Sequence, residues 1–204
     1  MNQSPQGGLP GTRWYDSALF VTWALIGLGC IFAWRGFLTN WVNLIPDECS
    51  YWAWSRHLDW SYFDNSGMVA YLIRLSTTLF GEQTPFAVRF PFLVFSALGT
   101  YLVYQVSADL FERRSRALLA TLALNLTPIM LLGASAAMHD NALTFFWIAA
   151  LWGAVRFIKT EKPCWLYFMG VTAGLSIQSK YTGVLILPSF LLFLLWSKAH
   201  RGWL

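Results

Sequence analysis

Charge is scarce in this chain. Only 12% of its 204 residues are Asp, Glu, Lys or Arg, where a water-soluble domain carries about 25%. Half the usual charge cannot coat a water-exposed surface of this size, which excludes a cytosolic globular domain, a disordered chain and a coiled coil. Cysteine is scarce as well. Cys30, Cys49 and Cys164 are too few and too scattered for a disulfide framework or a metal-finger spacing. A basic patch is also missing. The formal net charge is +4, but the basic residues stand at the ends of apolar runs, so nucleic acid is not an expected partner. The chain shows neither an internal repeat nor a low-complexity tract. What it has is apolar and aromatic: 56% of residues are hydrophobic, with 12 Trp and 8 Tyr, whose rings favour the lipid–water boundary. These features point to a membrane protein.

A spanning helix needs about 20 apolar residues. Residues 18–37, 86–106, 117–138 and 141–158 qualify, while 164–178 and 183–197 are shorter and are separated by 179–182. The expected fold is therefore all-α: a polytopic membrane bundle of about six transmembrane helices. The first run is too long for a signal peptide, and no small-x-small cleavage site follows it. Arg35, near its end, is expected to snorkel to the interface. Basic residues orient the spans. Arg13, the Arg113/Arg114/Arg116 group, the Arg156/Lys159/Lys162 group, and Lys198 with Arg201 should face the cytoplasm. Residues 38–85, the link at His139 and Asp140, and the turn at Lys180 then face outward. This topology makes 1–17 and 198–204 cytoplasmic tails of a multi-pass inner-membrane module, 18–197. One alternative treats 164–197 as a single span plus a re-entrant piece. Fifteen helical residues rise only about 22 Å, so the Lys180 turn is expected to lie recessed in a cavity. Gly170 and Gly174 form a GxxxG pair suited to close helix approach, and Pro188 should kink the last helix.

The outer loop, 38–85, is too long for a simple link. Pro46 suits the first position of a helix, and Asp47 and Glu48 complement the positive end of its dipole. Tyr51, Trp54 and Leu58 recur at helical spacing, as an apolar stripe would on a helix lying flat on the membrane. A second interfacial helix is expected over 68–80, after a turn at 64–67. Two carboxylates beside flat aromatic faces could hold a hydroxylated substrate at the bilayer surface. Each residue also has a plain reading: Asp47 and Glu48 as helix-start acids, the aromatics as an interfacial belt, Asp64 as a turn residue. Asp140 stands where two spans meet; an acid at such depth is costly and tends to be functional, or else it caps the fourth span. Lys180, recessed between apolar helices, calls for an anion or else snorkels. Arg89 carries the same two readings, and a lone His139 is weak evidence for a metal.

Taken in order, these residues form a pattern. The run Asp47-Glu48-Cys49-Ser50-Tyr51-Trp52-Ala53-Trp54-Ser55-Arg56-His57-Leu58 resembles the first-outer-loop motif of bacterial GT-C glycosyltransferases. The group is the one similar to protein O-mannosyltransferases and lipid A aminoarabinose transferases. Tyr62-Phe63-Asp64, Phe80-Gly81 leading to Val88-Arg89-Phe90-Pro91, Met138-His139-Asp140 and Ser179-Lys180-Tyr181-Thr182 follow the same family's pattern in order. The resemblance implies an enzyme that takes a sugar from a polyprenyl-phosphate-linked donor and gives it to a lipid or protein acceptor on the outer face. Carried over by position, Asp47 matches the catalytic acid and Glu48 the residue paired with it. Asp64, Arg89 and Asp140 fall on the substrate side. Lys180, with Tyr181 beside it, matches a basic position near the lipid phosphate. No cofactor is implied with certainty; a divalent metal ion held by Asp47 and Asp140 is one way to offset leaving-group charge. Family enzymes are much longer, so the chain resembles their N-terminal portion, with a second chain as one source of the rest. Two rival readings stay open: a small-solute transporter with Asp140 and Lys180 along its path, and a truncated, non-catalytic membrane partner.

Overall fold

The computed structural model describes residues 17–63, 65–81, 83–111 and 113–197. In chain order these form α1 (Ala18–Trp41), α2 (Pro46–Trp54), a two-rung hairpin β1 (Ser61–Tyr62) and β2 (Asn65–Ser66), and α3 (Met68–Phe80). Next come α4 (Pro85–Phe111), α5 (Arg114–Asn125), α6 (Pro128–Gly133), α7 (His139–Thr160) and α8 (Pro163–Ser179). A 3₁₀ turn (Tyr181–Leu185) then leads into α9 (Ile186–Trp196). The fold is an all-α membrane bundle. Helices α1, α4 and α7 are each long and apolar enough to cross a bilayer. They cover the runs expected at 18–37, 86–106 and 141–158, and α3 matches the expected 68–80. The tails expected at 1–17 and 198–204, Ser17 apart, lie outside the described residues.

The third expected span differs. The sequence reads as one helix over 117–138, but the structure breaks it twice. Thr127 is extended (φ −63°, ψ 141°), because the ring of Pro128 disfavours helical backbone in the residue before it. After α6 ends at Gly133, residues 134–138 are not helical. Non-helical backbone at membrane depth survives only where protein or a water-filled cavity receives its polar groups. Here side chains of three other helices receive them. The Arg35 Nε and Nη2 donate to the Met130 carbonyl (3.2 and 2.8 Å). The Asn141 amide donates to the carbonyls of Gly133 and Ala136 (2.8 and 2.7 Å), and the Ala137 N–H donates to Glu48 (2.8 Å). Arg35 therefore does not snorkel: it is 1% exposed and points into the bundle.

Helix α4 is central, packed on α1, α3, α5 and α7, and α7 lies along α8. Small residues set that last contact. Ala150, Ala154 and Ala173 are buried in it, and a Cβ at Gly153 would come 3.1 Å from the Met169 backbone nitrogen. Such close backbone approach replaces the hydrophobic driving force that lipid cannot supply. The expected contact at Gly170 and Gly174 is not made: among the described residues nothing lies within 4 Å of a Cβ built at either. The tight approach falls at Gly183, where a Cβ would lie 2.4 Å from the Ser176 carbonyl carbon. Pro188 sits in the first turn of α9, so it ends the 3₁₀ turn and does not kink a long helix.

The two ends of the bundle differ in chemistry. At one end, Arg156 pairs with Asp109 (3.3 Å), the Trp152 Nε1 donates to the same carboxylate, and the Lys159 Nζ donates to the Asp109 carbonyl. This ties the basic end of α7 to the end of α4. At the other end, α2, the hairpin and α3 cover the start of α4 and α7 over a core of Val69, Ile73, Val88, Phe92, Ala137 and Ala142.

Candidate active site

The site assembles at that second end. Its anchor is Glu48, which is fully buried. Pro46 opens α2, and the third residue of the helix turns its carboxylate back to accept from the Ile45 N–H (3.0 Å). The same carboxylate receives the Arg89 guanidinium at two oxygens, Nε to Oε1 at 2.7 Å and Nη2 to Oε2 at 2.5 Å. Oε1 also accepts from the Ala137 N–H. Burial alone would raise the pKa of Glu48. The Arg89 hydrogen bonds, the Ala137 and Ile45 N–H groups and the Arg89 charge outweigh it and hold the carboxyl below its ordinary value.

Arg89 spends its remaining donors on the carbonyls of Leu38 (3.1 Å), Val42 (2.7 Å) and Asn43 (2.9 Å). It thereby satisfies carbonyls at the negative end of α1. The resemblance pairs Glu48 with the catalytic acid and puts both Glu48 and Arg89 among the substrate-binding residues. The structure gives them to the scaffold: every donor of Arg89 and four lone pairs of Glu48 are already engaged within the protein. Their effect is to lock the end of α1, the start of α2, α4 and the broken third span together.

That lock sets the walls of a hollow of about 460 Å³, within the range of small-ligand sites. Leu38 of α1, with Val42 and Ile45 after it, lines one side; Ile129, Leu132, Gly133 and Met138 of the broken span line another. Glu48 and Arg89 close part of it, and Asp140 and Asn141 bring polar groups from the head of α7. An apolar wall meeting a polar rim suits a ligand that is lipid at one end and hydrophilic at the other.

Asp140 stands at that rim with its side chain 68% exposed, and the Lys180 Nζ binds its Oδ1 at 2.7 Å. The structure thus brings together two of the sequence-expected residues from positions 40 apart. Tyr181, half exposed, hydrogen-bonds Ser61 Oγ through its hydroxyl (2.7 Å), and Gln178 donates to the Trp60 carbonyl (3.3 Å). The hairpin is thereby fastened over the Lys180 turn. Asp47, beside Glu48, points the other way and is exposed. It does not line the hollow, although its helix turn is docked on the strand that leads to Asp140 through Glu48 and Ala137. Asp64 lies outside the described residues.

Sequence reasoning weighed His139 only as a metal ligand, whereas the buried imidazole (3% exposed) links α2 to the end of α8. Tyr51 of α2 meets it edge-on at 4.6 Å, Trp54 lies 6.3 Å away, and its Nδ1–H donates to the Ser179 carbonyl (3.0 Å) next to Lys180. Tyr51 and Trp54 are therefore not a membrane-facing stripe. They pack inward on His139, Trp54 stacks on Tyr62 at 4.7 Å, and Leu58 falls beyond the end of α2. The spacing of Tyr51 and Trp54 was the available signal, because a stripe that fits a membrane also fits a neighbouring ring.

Among the described residues no three His, Cys, Asp or Glu side chains gather as metal ligands. Lys180 holds Oδ1 of Asp140, and Asp47 faces solvent.

Residues 64–204 match the family described as dolichyl-phosphate-mannose-protein mannosyltransferase. Among curated proteins, the chain is similar to the lipid A galacturonosyltransferase RgtD of Rhizobium johnstonii, 28% identical over 177 residues. That alignment covers 82% of this chain and 36% of RgtD, so the chain spans about a third of the relative's length. No solved structure gives a significant match.

Proposed function

The chain belongs to the dolichyl-phosphate-mannose-protein mannosyltransferase family, and on that premise we propose that it serves glycosyl transfer from a polyprenyl-phosphate-linked sugar at the outer face of the inner membrane. The observation that carries this reading is the Lys180–Asp140 pair at the rim of a hollow whose lining is mostly apolar. A polyprenyl phosphate has that polarity, and RgtD is named for a lipid acceptor. In this reading the two short crossings, α8 and the 3₁₀ turn with α9, and the broken third span complete six passes with both termini inside. The acceptor is a lipid or a protein.

The chemistry follows from the residue types. The anomeric carbon of the donor carries a phosphodiester oxygen. An acceptor hydroxyl attacks that carbon and its proton passes to Asp47, which must lie within about 2.6–3.2 Å of the attacking oxygen. The bond from carbon to the phosphate oxygen breaks, and the electron pair leaves with polyprenyl phosphate. Lys180, held in place beforehand by Asp140, offsets the charge that builds there. Asp140 holds Lys180 in place, and His139 holds the turn that carries it.

The test is direct. Proteoliposomes containing the chain receive a polyprenyl-phosphate donor with a radiolabelled sugar, and label is followed into lipid and protein acceptors. Transfer by the wild type and its loss in Asp47→Asn, with an unchanged thermal melt, support the proposal. Undiminished transfer by Asp47→Asn removes Asp47 from the mechanism, and no transfer by the wild type refutes the reading for this chain.

A further inference from the structure

The charges around the hollow do not all have partners. Glu48 and Arg89 form one closed pair, and Asp140 and Lys180 form another. Asp47 faces water, which screens it. Arg35 is different. It is 1% exposed, and among the described residues no carboxylate meets it. Among the described residues its contacts are with neutral groups: the Met130 carbonyl twice, Ser96 Oγ at 2.7 Å, and the face of Phe32 at 5.2 Å.

A guanidinium without a carboxylate inside a membrane bundle is costly; such residues bond backbone carbonyls, as Arg35 does, and mark the paths of charged ligands. Its position says where that anion sits. Arg35 lies one helical turn below Leu38, which lines the hollow, and its guanidinium is bonded to the carbonyl of Met130, which lines the hollow too. A smaller cavity of about 40 Å³ beside Arg35 shares Met130, Asn141 and Thr144 with the hollow's wall. That cavity has room for water but not for a lipid headgroup.

We propose that Arg35 is the electrostatic floor of the hollow, drawing the phosphate of a lipid monophosphate into it through the Met130 wall. This rests on the reading of the hollow as the donor-lipid site. Lys180 and Arg89 each share their charge with a carboxylate, so Arg35 adds positive charge to theirs that no described carboxylate offsets. Arg35 acts from beneath, so it favours a phosphate over an uncharged head on the same chain without touching the transferred sugar.

The experiment compares two probes, a short-chain polyprenyl phosphate and the matching polyprenol, binding to the 204-residue chain in nanodiscs. The wild type should bind the phosphate at least tenfold more tightly than the alcohol. Arg35→Gln should bring the two affinities within about twofold while leaving alcohol binding unchanged, and Arg35→Lys should keep most of the preference. Retained preference in Arg35→Gln, or its loss in Arg35→Lys, overturns the proposal. Parallel loss of both lipids in Arg35→Gln also overturns it, since that marks a strut for Met130 and nothing more. If Arg35→Gln does not fold, the Arg35→Lys comparison decides. If the wild type binds neither lipid, the donor-lipid reading itself falls; if it binds both equally, only the role of Arg35 does.

Discussion

Replacing Glu48 by Gln probes the lock around the hollow. The side chain keeps its shape, and its carbonyl oxygen can still accept from Ala137 and from Arg89 Nε. The new amide group then sits where Oε2 was, facing the Arg89 Nη2 and the Ile45 N–H, both of which are donors. Donor faces donor, and a buried guanidinium loses its counter-charge. Breaking one side of a buried ion pair costs about 3–5 kcal/mol. The expected loss lies in that range, about two to nearly four orders of magnitude in the unfolding equilibrium. Unfolding in mixed micelles titrated with denaturing detergent measures it. A double-mutant cycle with Arg89→Met separates the pair from its surroundings. Because Arg89 also holds carbonyls of Leu38, Val42 and Asn43, Arg89→Met alone is damaging. Yet the double variant should be more stable than the sum of the two losses predicts, by about 1–3 kcal/mol. A Glu48→Gln variant within about 1 kcal/mol of wild type, or a cycle that is additive within about 0.5 kcal/mol, refutes the network as described.

Three further outcomes follow from named contacts. The Glu48 carboxyl is held below its ordinary value of 4.5, so its contribution is fully present above that pH and is lost as pH falls through the lower folded value; melting curves should be flat from this group above pH 5 and fall in acid, and Glu48→Gln should lack that acid limb. Gly183→Ala should destabilise or shift the 3₁₀ turn, because its Cβ would meet the Ser176 backbone at 2.4 Å, whereas Gly170→Ala and Gly174→Ala, which open onto empty space, should melt like wild type; equal melts for all three contradict this packing. Asp140→Asn should cost less than about 1 kcal/mol of stability, since the pair with Lys180 is exposed, while transfer should drop by about a hundredfold; an unchanged rate separates the pair from function.

Much of the bundle was visible in the sequence. The long spans announce themselves by apolar length, α2 by Pro46 and the spacing of Tyr51 and Trp54, and α3 by the turn expected at 64–67 before it. What stayed hidden depends on contacts between distant segments. Arg35 near the end of a span reads the same whether it snorkels outward or turns inward, because its partner Met130 is 95 residues away. The apolar content of 117–138 masked the break that Thr127-Pro128 signals, since hydropathy counts side chains and not backbone bonds. Asp47 and Glu48 are adjacent, and a helix turns each residue about 100° from the last. The neighbours thus take opposite fates: Glu48 becomes structure and Asp47 remains free for chemistry. Their order along the chain alone cannot assign which is which.

The central claim is that the hollow between α1 and the broken third span receives the lipid-linked donor. Photocrosslinking tests it most directly, with a polyprenyl phosphate that carries a photoreactive group near its head and the chain in nanodiscs. The account predicts adducts on residues of the hollow's wall, 129–138 and the end of α1, competed away by unlabelled polyprenyl phosphate. Adducts spread over the outward faces of α8 and α9, insensitive to competition, would contradict it.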